Sequence, residues 1–238
     1  MDVNNQTTGA AYTVLCLSAP SGKRVQEVPT LAELRDRLDI IGDIYLPRFS
    51  LFPNAYTIDQ GRAVNLLQVA EMMRSDQLAD LTDHIRRAAA EGNKRLKNQL
   101  KKRLPVITQG GLFLFRRNHG LALPSFVWQL DIDERLQDTQ RTIDTLLQDV
   151  EITVLMASVS PSGTGVKALL WLRDLMFKSA VWQWPQYADA FHDFTALAAR
   201  HFQQTHGLKI DTQVKAICQP FYLLHSQNLY IHPDYAQA

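Results

Sequence analysis

Asp131 and Asp133 are two carboxylates that directly follow the apolar run 126–130 (FVWQL) and are separated by one residue, a spacing that suggests a metal-binding pair. Side chains alternate between the two faces of a strand, so both carboxylates would lie on one face. Two like charges repel unless a cation lies between them or one is protonated, and Mg2+ prefers carboxylate oxygens. The alternative is a strand leading into a helix, with Asp133 and Glu134 in a first turn that favours acids. The tripeptide alone leaves both interpretations open.

The segment 158–167 (SVSPSGTGVK) is a second candidate, for binding phosphate. Its glycines let backbone N–H groups turn toward an anion. Ser160 and Ser162 add hydroxyl donors, and Lys167 adds a compact positive charge. The segment matches neither GxxxxGK[ST] nor GxGxxG, so it belongs to neither common class of phosphate-binding loop. A plain turn between two strands, with a surface lysine, is the alternative.

The segment 94–103 (KRLKNQLKKR) carries six positive charges and no acid. Leu96 and Leu100 lie four residues apart, so a helix could dock through them and present cations elsewhere. Such a run is typical of a solvated helix face, and it also fits an edge that binds phosphate groups.

Taken together, these segments indicate phosphoryl or nucleotidyl transfer. A carboxylate pair ends one strand, a candidate phosphate loop ends another, and Asp211 supplies a third acid farther along the chain. Acids that hold Mg2+ beside donors that hold phosphate are what such reactions need, with two ions about 4 Å apart in the two-metal form.

The elements that must position these residues are strands and helices in mixed order. Apolar runs predict strands at 11–17, 112–116, 126–133, 151–160, 166–172 and 216–224, with extended chain restarting at 209–211. Periodic patterns predict helices at 30–38, 66–73, 76–103 with a break near Gly92, 134–150, and 182–206 with an aromatic core stripe and Gly207 as its cap. The segment 47–56 is expected to be irregular and the tail 225–238 loosely structured. Because at least one hairpin is present, an α+β fold is favoured over a doubly wound parallel sheet.

The composition is that of a globular protein: 46% of the 238 residues are apolar and 21% are charged. No apolar run approaches the length of about 20 residues that spans a bilayer, and residues 1–11 lack the pattern of a signal peptide. We therefore expect a cytoplasmic protein with no membrane partner. Cys16 and Cys218 lie far apart and lack CxxC partners, so we expect buried thiols and no cysteine-built zinc site.

The order of these motifs resembles the archaeo-eukaryotic primase superfamily. More narrowly, it is similar to the primase-like domain at the N-termini of VirE-type helicase proteins of Bacteroidetes and their mobile elements. The resemblance covers roughly residues 46–234 and includes the lead-in segments 50–52 (SLF), 97–105 (KNQLKKRLP), 106–111 (VITQGG) and 115–116 (FR).

The resemblance implies a core related to the RNA-recognition motif, with an antiparallel or mixed sheet. This core would span 106–238, and a mostly helical N-terminal α/β subregion, 1–105, would pack on it as one continuous unit. The implied activity is that of a metal-dependent DNA primase-polymerase. It would use nucleoside triphosphates and a single-stranded DNA or RNA template to replicate a mobile or plasmid-like element. A helicase would come from another chain or a missing C-terminal part.

Site residues follow from the resemblance by position. Two Mg2+ or Mn2+ ions would be held by the catalytic acids Asp131, Asp133 and Asp211. The triphosphate would be bound by Ser160, Ser162, Gly163, Gly165 and Lys167. The nucleic acid would be contacted by Lys94, Lys97, Lys101, Lys102, Arg103 and Arg116.

Two departures from the family pattern keep alternatives open. Gln219 stands where related domains often carry an arginine, and 224–227 (LHSQ) replaces a Ser-x-Asp-Pro turn. Loss of that arginine would weaken triphosphate binding unless Lys215 supplies the charge. The alternatives are a catalytically inactive single-stranded nucleic-acid-binding module, and a nuclease or phosphotransferase that uses the same acids.

Overall fold

The computed structural model describes residues 39–41, 44–133, 136–172 and 184–236. The predicted strand at 11–17, the predicted helix at 30–38 and Cys16 lie outside these residues. Within the described residues, none of the helices is both long enough and apolar enough to cross a membrane.

The first sheet is antiparallel and carries the segments that the sequence analysis singled out. Its strand order is β12-β9-β10-β8. The bounds are β8 Val127–Ile132, β9 Thr153–Val159, β10 Val166–Trp171 and β12 Tyr230–Ile231. β9 and β10 are joined directly by the loop 160–165, as the sequence predicts.

The three long strands of this sheet are buried almost throughout because both faces of the sheet are covered. From β8, Trp128 and Leu130 enter one buried cluster, whereas Val127 enters the other. β10 divides in the same way, with Ala168 on one side and Leu169 on the other. Alternating side chains of one strand thus serve two cores, which explains continuous runs where a half-exposed strand would alternate.

One core is closed by α4 (Thr139–Leu147) and α5 (Gln186–His206). The predicted aromatic stripe of α5 is core: Tyr187, Phe191 and Phe202 are fully buried. Gly207 ends the helix with φ at +67°, which glycine adopts without steric cost. α4 begins later than predicted, because the Asp138 side chain accepts a hydrogen bond from the Arg141 N–H (2.9 Å) and caps the helix there.

The second sheet is also antiparallel, in the order β11-β5-β3-β4. Its strands are β3 Arg48–Phe52, β4 Arg62–Asn65, β5 Val106–Thr108 and β11 Pro220–Tyr222. The expectation of irregular chain at 47–56 is wrong for residues 48–52, which form β3, since both prolines lie just outside this strand and remove no hydrogen bond from it. Residues 53–56 form the expected turn. β3 comes before the predicted boundary at residue 105 and β5 comes after it, and the two strands pair with each other. The division of the chain into 1–105 and 106–238 stays a prediction.

Helices between β4 and β5 follow the predicted pattern. α1 (Leu66–Arg74) is closed at its start by a capping box between Asn65 and Gln68. A 3-10 turn, α2 (Ala79–Ala90) and α3 (Lys94–Lys101) follow. The predicted break is Gly92, with φ at +72°.

Shorter elements complete the fold. β1 (Asp39–Ile41) pairs with β2 (Ile44–Leu46), and β6 (Gly111–Phe113) pairs with β7 (Leu121–Pro124), a strand that the apolar pattern did not reveal. The predicted last strand, 216–224, is observed only as the shorter β11, and residues 209–211 form no strand. The tail 225–238, expected to be loosely structured, contains β12 and α6 (Pro233–Ala236). The α+β class with antiparallel sheets is confirmed; the relation to the RNA-recognition motif stays a prediction.

Candidate active-site cleft

A buried ion pair joins the two strands at the centre of the site. β8 and β10 run antiparallel, and their register places Asp131 directly opposite Lys167. The Lys167 ammonium contacts Oδ2 of Asp131, and the two side chains are only 2% and 9% exposed. A shift of one residue in register would separate these charges, because successive side chains face opposite sides of the sheet.

The second carboxylate oxygen of Asp131 is left for another partner. Oδ1 is buried and accepts no hydrogen bond from any described residue. Burial raises the pKa of Asp131, the Lys167 charge opposes this, and Asp133 adds to it, so the pKa is raised overall. An orphaned buried acceptor costs free energy, and a bound cation or donor would remove that cost.

The β9–β10 loop is held by its own hydrogen bonds. The Ser160 N–H donates to the Gly165 carbonyl (2.7 Å), and the Ser160 hydroxyl accepts from the Gly165 N–H (3.1 Å). Gly163 has φ at +80°, and a Cβ at Gly165 would lie 2.1 Å from the Ile132 carbonyl oxygen. Gly165 is therefore required by the close approach of β8, a structural reason independent of phosphate.

This loop forms one wall of a cleft of about 560 Å3, called here the basic cleft. The opposite wall comes from α2 and α3. Polar groups that line the cleft are Arg86, Lys94, Lys97, Lys101, Asp133, Ser160, Ser162, Thr164 and Lys167.

The α3 lysines reach the cleft because of helical spacing. Lys94, Lys97 and Lys101 are three and four residues apart, so they share one face. Burial lowers the pKa of Lys101, and the nearby Lys167 charge lowers it further. The predicted docking stripe is only partly right, since Leu100 is half-buried but Leu96 is exposed.

Arg86 is the cleft residue that the sequence analysis missed. It lies on α2, and its Nε is buried without a hydrogen-bond partner in the described structure. Its side chain packs beside the loop, with Cγ 3.6 Å from the position a Cβ would take on Gly163. A single arginine on a polar helix gives no sequence signal, because only the packing of α2 against the loop brings it to the site.

The three predicted acids gather at the end of β8. Asp133 is exposed and lines both the basic cleft and an adjoining open groove of about 400 Å3, which Asp211 also lines. The Asp211 N–H donates to the Asp131 carbonyl (2.7 Å), which fixes this segment beside β8. Asp133 precedes α4 by several residues, so it does not cap that helix.

The acids do not form a closed ligand set as they stand. Across the residues that the structure describes, three potential metal-ligand atoms lie within 4.8 Å of one another at a single place, Asp149, His201 and His206, away from this cleft. A metal between Asp131, Asp133 and Asp211 would require their side chains to turn toward it.

Basic and aromatic side chains alternate beside the cleft. The Lys101 Nζ lies 4.9 Å from the centre of the Tyr222 ring, and the Lys102 Nζ lies 5.7 Å from that of Tyr56. Tyr56 is 66% exposed. Exposed rings among cations are typical of surfaces that bind single-stranded nucleic acid, because bases stack on the rings while cations contact phosphates.

The remaining predicted residues lie outside the cleft. Lys102 and Arg103 are exposed at the end of α3. The Arg116 guanidinium packs on the Phe52 ring and donates to the Ala55 carbonyl, so it holds the 53–58 loop. Gln219 lies in the turn before β11, where its N–H donates to the Ala216 carbonyl (3.0 Å).

Fold and cleft together define a class: an α+β protein whose antiparallel sheet ends at a basic cleft with carboxylates at its edge. The family model described as BT4734-like, N-terminal domain, matches residues 99–230. That span is more than half of the 238 residues, so the chain belongs to this family. It includes β8, β9, β10 and Asp211, whereas Arg86 and most of α3 precede it. No curated protein and no solved structure matches the chain.

Proposed function

We propose that this chain is a metal-dependent nucleotidyltransferase of the primase-polymerase type that copies a single-stranded template. One observation carries the proposal: the basic cleft joins an exposed carboxylate, a serine-rich loop and several cations from different elements. The resemblance to archaeo-eukaryotic primases supports the same activity, and replication of a mobile element as its setting.

The cleft suits a triphosphate. Lys94, Lys97 and Arg86 supply charge from one wall, and the hydroxyls of Ser162 and Thr164 supply donors from the other. Charge-assisted hydrogen bonds of this kind are the stronger ones, and several cations would offset the charge of the phosphates. The volume of the cleft also falls within the range of about 300–1,000 Å3 typical of small-molecule sites.

The acids fit divalent-metal chemistry. Asp133 and Asp211 share a groove, and Oδ1 of Asp131 is a buried acceptor that lacks a donor among the described residues. Mg2+ or Mn2+ held by these oxygens would activate the primer hydroxyl and stabilise the charge of the departing pyrophosphate. The Lys167 charge favours the ionised form of Asp131 and partly opposes the burial that raises the pKa of this carboxyl.

The surface beside the cleft suits the template. Lys102 lies over the Tyr56 ring and Lys101 over the Tyr222 ring. The rings would stack on bases, and the lysines would contact the phosphates of the template backbone. This side is next to the triphosphate wall because Lys101 belongs to both.

Primer extension tests the proposal. The purified chain is incubated with a primed single-stranded template, nucleoside triphosphates and Mg2+ or Mn2+, beside the variant Asp133→Asn. Asp133 is exposed, so its substitution should leave folding intact, and we expect a loss of about 100-fold or more because a metal ligand contributes several kcal/mol.

Asp193→Asn is the matched control, since Asp193 lies on α5 with its side chain 83% exposed. Extension that is equal in the wild type and in Asp133→Asn, or absent from the wild type on every template and metal, would contradict the proposal. Release of mononucleotides in place of extension would indicate a nuclease.

A non-catalytic single-stranded nucleic-acid-binding module is the second candidate. The observation that favours it is the buried contact of Lys167 with Asp131, which takes up one oxygen that a metal would use. Gln219, in place of the family arginine, agrees with it. Salt-sensitive binding of single strands that is unchanged by EDTA, without nucleotide incorporation, would support this alternative.

A further inference from the structure

We propose that Asp149, His201 and His206 form a second metal site, for a Zn2+-class ion, that is independent of the basic cleft. Asp149 follows α4 in the turn toward β9, and the histidines lie near the end of α5. Oδ2 of Asp149 is 2.6 Å from Nε2 of His201 and 2.7 Å from Nε2 of His206.

The three side chains are pre-positioned. Oδ1 of Asp149 accepts hydrogen bonds from the Glu151 and Ile152 N–H groups, both at 2.9 Å, so the carboxylate is fixed with Oδ2 toward the histidines. The Asp149 side chain is 1% exposed, and those of His201 and His206 are 20% and 14% exposed. Burial raises the pKa of Asp149, but hydrogen bonds from both histidines and the backbone outweigh this and lower it.

Glu151 provides the outer partner that metal-binding histidines usually have. Its Oε2 lies 3.4 Å from Nδ1 of His201. When His201 carries its proton on Nδ1 toward Glu151, Nε2 presents a lone pair to the Asp149 carboxylate. In that tautomer Nε2 and Oδ2 are both electron-rich, and a metal ion between them would take the place of the proton that joins them in the hydrogen-bonded form.

The donor set selects the class of ion. Two imidazoles and one carboxylate suit Zn2+ and related transition metals, whereas Mg2+ prefers oxygen ligands. Tetrahedral Zn2+ would need the ligand atoms about 3.3 Å apart, so the cluster must open by about 0.6 Å. His206 is the last residue of α5, where a small shift disturbs little of the helix.

The site would brace the fold and stand apart from catalysis. The histidine cluster lies at the start of β9, before Thr153, and the 160–165 loop of the basic cleft follows the end of β9, after Val159. Since β9 has seven residues and rises about 3.3 Å per residue, about 20 Å separates the two sites. A bound ion would fasten the end of α5 to the α4–β9 connection.

Metal analysis tests the inference. The EDTA-treated chain is titrated with Zn2+, and separately with Co2+, beside His206→Asn, which retains a polar side chain. We expect one Zn2+ per wild-type chain, a higher Tm when zinc is bound, and the visible absorption of tetrahedral Co2+; His206→Asn should lose all three. His192→Asn is the control, since His192 lies on the same helix with its side chain 59% exposed.

Absence of stoichiometric zinc in the wild type, or equal binding by His206→Asn, would overturn the inference and leave a hydrogen-bonded cluster. If His206→Asn fails to fold, His201→Gln in the Co2+ assay decides, because a retained tetrahedral spectrum would likewise refute the site. Neither result depends on primer extension.

Discussion

Asp131 and Lys167 form a buried ion pair at the centre of the candidate site. Taking one member of a buried pair away leaves an uncompensated charge, which costs more than the pair itself contributes. We predict that Lys167→Met lowers the free energy of unfolding by about 3–5 kcal/mol, measured by urea denaturation. Lys215→Met, at an exposed position, should change it by less than about 0.5 kcal/mol.

The double variant Asp131→Asn/Lys167→Met separates charge from packing. Because both charges are then removed, it should be more stable than Lys167→Met alone. A double variant that is less stable than Lys167→Met would show that the ion pair is not the cause.

Arg86 permits a test of whether the basic cleft binds a triphosphate. Its Nε lies buried beside the loop with no acceptor from the described chain, so a phosphate oxygen is a suitable partner. We predict that Arg86→Gln weakens binding of a labelled nucleoside triphosphate about 10- to 100-fold, the loss of one charge-assisted hydrogen bond. The neighbouring Arg87 is exposed and does not line the cleft, so Arg87→Gln should bind as the wild type does.

At single positions, the sequence predicted which residues would lie near one another better than it predicted which side chains would pair. Asp133, Ser160, Ser162 and Lys167 all reach one cleft. Their spacing could not reveal that Lys167 faces Asp131, because strand register depends on the β9–β10 turn and on core packing. The resemblance predicts a nucleic-acid contact for Arg116, which stays a prediction, and the Arg116 side chain donates a hydrogen bond to the 53–58 loop.

Among the elements, α3 has a charge distribution that opposes its own stability. Its first turn contains no acid, and Lys94 and Arg95 lie where the helix dipole disfavours cations. Such an arrangement is reasonable where phosphate groups supply the compensating charge.

Charge reversal at the start of α3 separates stability from binding. We predict that Lys94→Glu and Arg95→Glu each stabilise the chain slightly, by about 0.3–1 kcal/mol. Lys94→Glu alone should weaken binding of a fluorescently labelled nucleoside triphosphate and make that binding less sensitive to salt, because Lys94 lines the cleft wall proposed to bind the phosphates and Arg95 does not. Fluorescence anisotropy across a salt series measures this, and equal losses in both variants would refute the assigned face.

Elements with long patterns were predictable and short ones were not. α1, α5, β9 and β10 have sustained periodicity or apolar runs. β3 is a short strand between two prolines, and β7 is a short strand that ends in one. Prolines at such positions favour loop in local rules, and both strands form because neighbouring strands supply hydrogen bonds.

For the whole molecule, the α+β class could be predicted, whereas the meeting of α2, α3, β8 and the β9–β10 loop could not. These segments are far apart in sequence, and their contact depends on tertiary packing. The histidine cluster escaped prediction for the same reason, since Asp149 and His206 are separated by 57 positions.

The end of the described chain closes both sheets, because β11 lies at the edge of one and β12 at the edge of the other. Between them, the Leu223 N–H donates to the Pro105 carbonyl and the Ser226 N–H to the Met73 carbonyl. A ribosome that has released residues up to 219 has therefore completed neither sheet, and we expect stable folding only after synthesis passes Ile231. A chain stopped at Gln219 should be degraded rapidly by protease in vitro, whereas one stopped at Ala236 should resist; equal resistance would show that this last segment is dispensable.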